Sequence, residues 1–272
     1  MLPPFFNDIA ASPMVKTRKI RIEDKELHTM QFSVSSDLSR PSLVFLHDAL
    51  GCTTSWKSFP KNLCQALQMN GLVFDRLGHG LSSPSTTTRS VDYLEKEALE
   101  ILPQVLQKMG IRTPILIGSS DGGSIALVYA GKYPVKALVS LAGHSKVESI
   151  TLEGIREGVK VLKKAPLFQK LEKLHGRKSQ KLLNDWADTW LSPAYRHWNI
   201  ERFLEGIDCP ALILQGKEDQ YATDQHAIGI AKRISGPSAY QIMQGCGHFP
   251  HLDKAEETIA LIKTFFEHQD VC

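Results

Sequence analysis

The sequence predicts an α/β fold, a mostly parallel, eight-stranded sheet with helices on both faces and one helical insertion. Three observations carry this. Short, unbroken apolar runs recur along the 272 residues, the pattern of strands buried on both faces. Helix-like segments separate the runs, as βαβ units require. One stretch, residues 144–205, breaks the rhythm and carries no strand signal.

Taken in order, a polar lead-in precedes two alternating segments, Arg18–Ile22 and His28–Val34, which read as a hairpin around Glu23-Asp24-Lys25. After the polar break Ser35–Arg40 comes Leu43-Val44-Phe45-Leu46, the first sheet-interior run. Leu72-Val73-Phe74, Ile115-Leu116-Ile117, Ala137–Ala142 and Ala211–Leu214 repeat the pattern, and Ala239–Met243 is the last strand-like run. Between and after them Ser58–Met69, Tyr93–Met109, Ser124–Ala130 and Ala255–His268 read as helices. Pro103 should kink or divide the second, because proline lacks the N–H that a helix interior needs. Residues 1–143 and 206–272 thus form the α/β core, and 144–205 a separate helical unit.

Composition narrows the functional classes. Apolar residues make up 42% and charged residues 22%, ordinary globular usage that excludes disorder as the main state. The net charge of +3 gives no basic stripe of the kind nucleic-acid binding demands. No run approaches the ~20 consecutive apolar residues of a bilayer span. The first residues lack the charged start and apolar core of a signal peptide. Cys52, Cys64, Cys209, Cys246 and Cys272 are odd in number and form no C-x-x-C pair, so they read as reduced thiols. Together these features predict a cytoplasmic protein with no nucleic-acid or membrane partner.

The most informative segment is Pro114-Ile115-Leu116-Ile117-Gly118-Ser119-Ser120-Asp121-Gly122-Gly123-Ser124-Ile125-Ala126. It reads as a strand, then G-x-S-x-G, then a helix. Such a tight turn strains the serine backbone and needs glycines beside it, leaving the hydroxyl exposed at a helix N-terminus. A register with Asp121 as nucleophile also fits the small residues around it. It is rejected because the strand ends at Gly118, which puts Ser120 at the apex.

A serine hydroxyl needs a base to take its proton and a carboxylate to orient that base, in the chain order Ser, acid, His. Gln215-Gly216-Lys217-Glu218-Asp219-Gln220 follows a predicted strand and offers Asp219, with Glu218 competing for the role. Gly245-Cys246-Gly247-His248-Phe249-Pro250-His251-Leu252-Asp253 offers His248 in a glycine turn. His251 is expected instead to help start the last helix, with Asp253 near its N-terminal end. Cys246 is expected to serve only in packing the loop.

With these motifs the chain resembles the α/β-hydrolase superfamily, from the hairpin to the final helix. Asp75-Arg76-Leu77-Gly78-His79-Gly80-Leu81-Ser82 adds to the likeness, resembling that family's D-x-x-G-x-G-x-S loop. The glycines in it read as turn geometry. The resemblance implies a cofactor-free, metal-free serine hydrolase acting on a carboxylic ester or thioester through an acyl-enzyme, with residues 144–205 as a helical lid. It also permits carbon–carbon cleavage of a vinylogous diketone, acyl transfer, or a slow-turnover sensor that keeps the triad. By the same likeness the oxyanion donors are the backbone N–H groups of Asp121 and Ala49, with Leu50 the alternative to Ala49. One departure stands out. Where the family has His-Gly-x, this chain has His47-Asp48-Ala49, and Asp48 is expected to turn away from the oxyanion and pair with a cation or a backbone donor.

The predicted lid carries Trp186, Trp190 and Trp198 with Leu182, Leu183 and Leu191. Most of these should pack on the core. Trp186 and Trp190, four apart and able to share a helix face, are expected to line the way to Ser120, favouring a small ester with an apolar acyl part. Within the lid, residues 146–181 hold ten basic against four acidic residues, a net of +6 that leaves the rest of the chain near −3. A solvated helix face is the leading reading. Docking of an acidic acyl carrier protein, as in related carboxylesterases, is the sharper one.

Overall fold

A computed structural model describes residues 13–36 and 41–271; the predicted lead-in at residues 1–12, part of the polar break and Cys272 lie outside them. The other four cysteines form no disulfide, and no described helix is long and apolar enough to cross a membrane.

The chain opens with β1 (Met14–Ile22) and β2 (Lys25–Ser33), paired antiparallel about the two-residue turn Glu23-Asp24. Both strands begin earlier than their alternating segments indicate, at Met14 and Lys25, because β1 is an edge strand whose first six residues are exposed and carry no alternation of burial. Then come β3 (Ser42–Leu46), β4 (Gly71–Phe74), β5 (Pro114–Ser119), β6 (Ala137–Leu141), β7 (Ala211–Gly216) and β8 (Ser238–Met243). The sheet order is β1-β2-β4-β3-β5-β6-β7-β8, and only β2 runs against its neighbours.

Side chains alternate across these strands, so each interior strand supplies both faces. Val44, Leu46, Leu116, Leu138 and Ile213 join one apolar cluster. Leu43, Phe45, Ile115, Ile117, Val139 and Leu214 join the other. Fully burying side chains of this size contributes about 1.5–3 kcal/mol each. The second cluster is closed by α1 (Phe59–Leu67) and the C-terminal helix (Ala255–His268), through Leu63, Ile262 and Phe266.

On the first face lie α2 (Tyr93–Lys96) and α3 (Leu102–Met109), joined by a π-helical turn over Glu97–Ile101. Pro103 sits in the first turn of α3. The widened turn before it absorbs the ring that would otherwise strike the preceding carbonyls. Gly110, with φ +70°, ends α3 in a left-handed cap. Beside them pack α4 (Asp121–Ala130), three residues longer at its start than the predicted segment, and further along the chain Asp224–Arg233.

Between β6 and β7 the chain forms α5 (Ser149–Leu162), α6 (Ala165–His175), α7 (Ser179–Trp190) and α8 (Glu201–Leu204), with short 3₁₀ turns. An isolated antiparallel bridge between Lys146 and Asn199 draws the two ends of this segment together. After it come α9 (Asp224–Arg233), α10 (Pro250–Asp253) and α11 (Ala255–His268).

Candidate active site

Ser120 stands between β5 and α4 with φ 52° and ψ −118°, a backbone state that costs a non-glycine residue about 1–3 kcal/mol. Its surroundings hold it there. A Cβ on Gly118 would strike the Gly122 carbonyl, and one on Gly122 would strike the Leu46 carbonyl on the next strand. The Ser120 N–H also donates to Leu141 O at 2.9 Å.

Three loops at the C-terminal ends of the strands meet at the hydroxyl. Ser120 Oγ lies 2.9 Å from His248 Nε2. On the other side of the ring, Nδ1 lies 2.9 Å from each oxygen of Asp219. Burial alone would raise the Asp219 carboxyl, but the charge and hydrogen bond of His248 and the Tyr221 N–H outweigh it and hold it below the ordinary value. The Tyr221 ring stands edge-on to His248, with centroids 4.6 Å apart.

The competing residues fall elsewhere. Glu218 accepts from the N–H groups of Gly245 and Cys246, at 3.2 and 2.6 Å, and so clamps the loop that carries His248. The Asp121 carboxylate is buried away from the hydroxyl, accepting from Tyr93 O–H at 2.6 Å with Arg76 Nη1 at 3.9 Å. His251 and Asp253 do not start the last helix as expected. They lie in α10, a separate short turn, because Lys254 breaks the helical path with φ −136°. His251 is buried against Trp56, ring centroids 4.5 Å apart, and burial takes its pKa down to about 3. Asp253 accepts from Gly247 N–H at 3.0 Å, a second clamp on the His248 loop. Cys246 is buried within the second apolar cluster.

Around Asp48 one peptide is anchored by its carbonyl. His47 Nδ1 and Arg76 Nη2 donate to Asp48 O at 2.8 and 2.7 Å, the His47 tautomer following from Arg76 N–H donating to Nε2 at 3.0 Å. In a trans peptide the following N–H points the opposite way, so anchoring this carbonyl aims the Ala49 N–H. The Asp48 carboxylate turns to accept from Leu50 N–H at 3.0 Å, which commits that donor. Burial raises the Asp48 carboxyl, helped by Asp121 and opposed by the Leu50 N–H and Arg76. The glycines of the Asp75 loop are geometric. Gly78 and Gly80 have φ of +83° and +43°, and a Cβ on Gly80 would strike the Asp75 carboxylate.

A cavity of about 410 Å³ opens over Ser120 and His248. Trp186 and Trp190 both line it, with Ala49, Asp121, Ile155, Leu171 and Phe249 among the others. Trp198 lies outside it, stacked on Tyr195 at 5.3 Å. His144 also lines the cavity and had no motif to mark it. It is positioned by mutual hydrogen bonds with Ser124, and burial takes its pKa down to about 3. Tyr221 was signalled only by lying two residues after Asp219. Among the described residues no cluster of His, Cys, Asp or Glu is arranged to hold a metal ion.

A serine-bearing turn at the end of a parallel strand, with Asp219 and His248 brought to it on the loops that follow β7 and β8, is the arrangement found in hydrolases of the α/β type. The model of the alpha/beta hydrolase family matches residues 43–261, and the chain belongs to that family and is an enzyme of it. Human serine hydrolase BPHL is 27% identical over 264 residues, covering 93% of this chain and 87% of its own. A 2-hydroxy-6-oxononadienedioate/2-hydroxy-6-oxononatrienedioate hydrolase of Pseudomonas putida is 23% identical, covering 96% and 99%. In structure, a bacterial membrane phospholipase A superimposes with a TM-score of 0.74 at 19% identity, over 94% of this chain and 87% of its own.

Proposed function

We propose that the protein hydrolyses a carboxylic ester or thioester through a Ser120-His248-Asp219 triad, with residues 144–205 as a lid that shapes the acyl pocket. One observation carries this: the unbroken line from the Ser120 hydroxyl through the His248 ring to the Asp219 carboxylate, each step 2.9 Å. Ser120 Oγ attacks the acyl carbon while His248 Nε2 takes its proton, and Asp219 stabilises the imidazolium. The carbonyl oxygen becomes an oxyanion held by the N–H groups of Asp121 and Ala49, each such donor worth about 3 kcal/mol. Collapse expels the alcohol or thiol, which takes the proton from His248. Water then repeats the sequence on the acyl-enzyme and releases the acid.

The anchored Asp48 carbonyl supports Ala49 as the second donor, and the Asp48 carboxylate, spent on Leu50, is kept from opposing the oxyanion. The largely apolar cavity favours an apolar acyl group, with Trp186 and Trp190 in its wall. Of the basic run, Lys160 pairs with Glu157 and Lys181 with Asp185, which supports a solvated helix face. The Pseudomonas putida relative, named for a dienedioate substrate, gives carbon–carbon cleavage as the second reading.

Turnover of p-nitrophenyl esters from acetate to octanoate tests the first. Ser120→Ala should lower kcat by about 10⁴-fold or more and leave thermal stability intact. Equal activity in the two proteins sinks the Ser120 assignment. Ester turnover at background together with cleavage of a vinylogous diketone favours the second reading.

A further inference from the structure

A second cavity, of about 490 Å³, lies behind the first and is lined quite differently. Arg76, Asp121, Tyr93 and Trp190 separate the two, joined by Tyr93 O–H to Asp121 at 2.6 Å and Trp190 Nε1–H to Tyr93 Oη at 2.9 Å. Six basic side chains line the second cavity against three carboxylates, Glu97, Glu100 and Asp185; Lys181 pairs with Asp185, Lys96 with Asp92 and Arg76 with Asp121, while Arg89, Arg177 and Lys178 make no ion pair among the described residues.

Two of the bases hold donors with nothing to bond. Arg76 is 2% exposed, and its Nη2 is spent on the Asp48 carbonyl while its buried Nε has no hydrogen-bond partner. Arg89 Nη1 is likewise buried and unpartnered, and its guanidinium carbon stands over the Tyr93 ring, 4.6 Å from the centroid. Lys178 is half-buried, its Nζ gripped by the carbonyls of His79, Gly80 and Ser82 at 3.1, 2.6 and 2.6 Å, so its charge is fixed at the cavity. Glu97 shares this space, where burial raises its carboxyl above the ordinary value against the opposing charges of Arg76 and Arg89. Buried charged donors are costly to leave unmade, and guanidinium groups match oxyanions best.

We propose that this second cavity binds a small oxyanion of the phosphate or carboxylate class, between Arg76 and Arg89 and beside Lys178. The site is separate from Ser120 and takes no part in ester cleavage. Fixed guanidinium donors supply the recognition, and the surplus of positive charge at the rim favours an ion with two negative charges over one with a single charge.

Isothermal titration of the full chain with inorganic phosphate, malonate and acetate, at constant ionic strength, tests this. Phosphate or malonate should bind saturably, one per chain, and more tightly than acetate; whichever binds better identifies the source of the oxyanion. Arg89→Met should weaken that binding by roughly tenfold or more, as loss of a charge-assisted donor does. Arg177→Glu, an exposed rim change that leaves the fold alone, should weaken it severalfold. Ser120→Ala should leave it unchanged. The proposal is overturned if none of the three ions gives a saturable signal, if acetate binds as well as the dianions, if both arginine variants bind like the wild type, or if Ser120→Ala abolishes binding.

Discussion

The α/β core and the helical segment 144–205 are held by different forces, and the candidate site divides its work between them. In the core, β5 and β6 are buried along their whole length and hydrogen-bonded on both sides. Every residue of α4 is buried. The segment's helices bury one face or less: α6 hides only Leu171 and His175, and α5 only Thr151, Gly154 and Ile155. Ser120, Asp219 and His248, the residues proposed as nucleophile, acid and base, therefore stand on the part with least freedom, while much of the cavity wall comes from the part with more. Geometry needed within a fraction of an ångström is placed where the sheet fixes it; shape, which tolerates adjustment, is left to helices.

The largest expected break in this contrast comes from the core loops. Asp219→Asn keeps the size of the side chain but removes the charge that orients and stabilises the His248 ring, so kcat should fall about 10⁴-fold. Its neighbour Glu218→Gln loses only part of the grip on the Gly245 and Cys246 N–H groups. That change should cost less than about tenfold. Ester turnover in the two variants compares them directly. A larger loss from Glu218→Gln would exchange the roles assigned here.

Acid should act on both regions. His144, at the junction, and His251, in the core, are each driven by burial from 6.5 down to about 3. Between those values the unfolded chain binds a proton at each ring and the folded chain does not. Stability therefore falls as pH drops below about 6.5, by about 1.4 kcal/mol per pH unit for each ring. Burial gives His47 and His79 the same sign. Urea unfolding between pH 7 and 5 should show this slope, shallower in His251→Gln. An unchanged slope would mean that His251 is not buried in its neutral form.

The core was legible because its signals are local. Unbroken apolar runs give strands buried on both faces, and the glycines at 118 and 122 are required by backbone atoms within one turn or on the adjacent strand. Ser120, Asp219 and His248 could be singled out for the same reason, each lying just past a strand end. What sequence did not mark are contacts made across long separations: Tyr93 on Asp121, Arg76 on the Asp48 carbonyl, and His144 in the cavity. No spacing encodes these, since each depends on how α2, the Asp75 loop and the end of β6 converge. The last helix is read from the sequence with its observed bounds, Ala255–His268, but His251 and Asp253 are assigned to its start because they have the composition of a helix N-terminus, yet one packs on Trp56 and the other bonds the Gly247 N–H.

The smallest expected effect belongs to the helical segment. Leu167, near the start of α6, lines the first cavity and is only partly buried. Leu167→Ala should therefore cost less stability than the 2–5 kcal/mol typical of a core leucine. It should still lengthen the room for an acyl chain, and methylene-sized changes in an apolar pocket shift specificity by about 10- to 200-fold at most. The ratio of kcat/KM for octanoate over butyrate esters should rise, toward the low end of that range because α6 can settle into the space. If the ratio stays fixed while overall activity falls, α6 does not shape the acyl pocket, and the division of labour between core and helical segment fails where it is weakest.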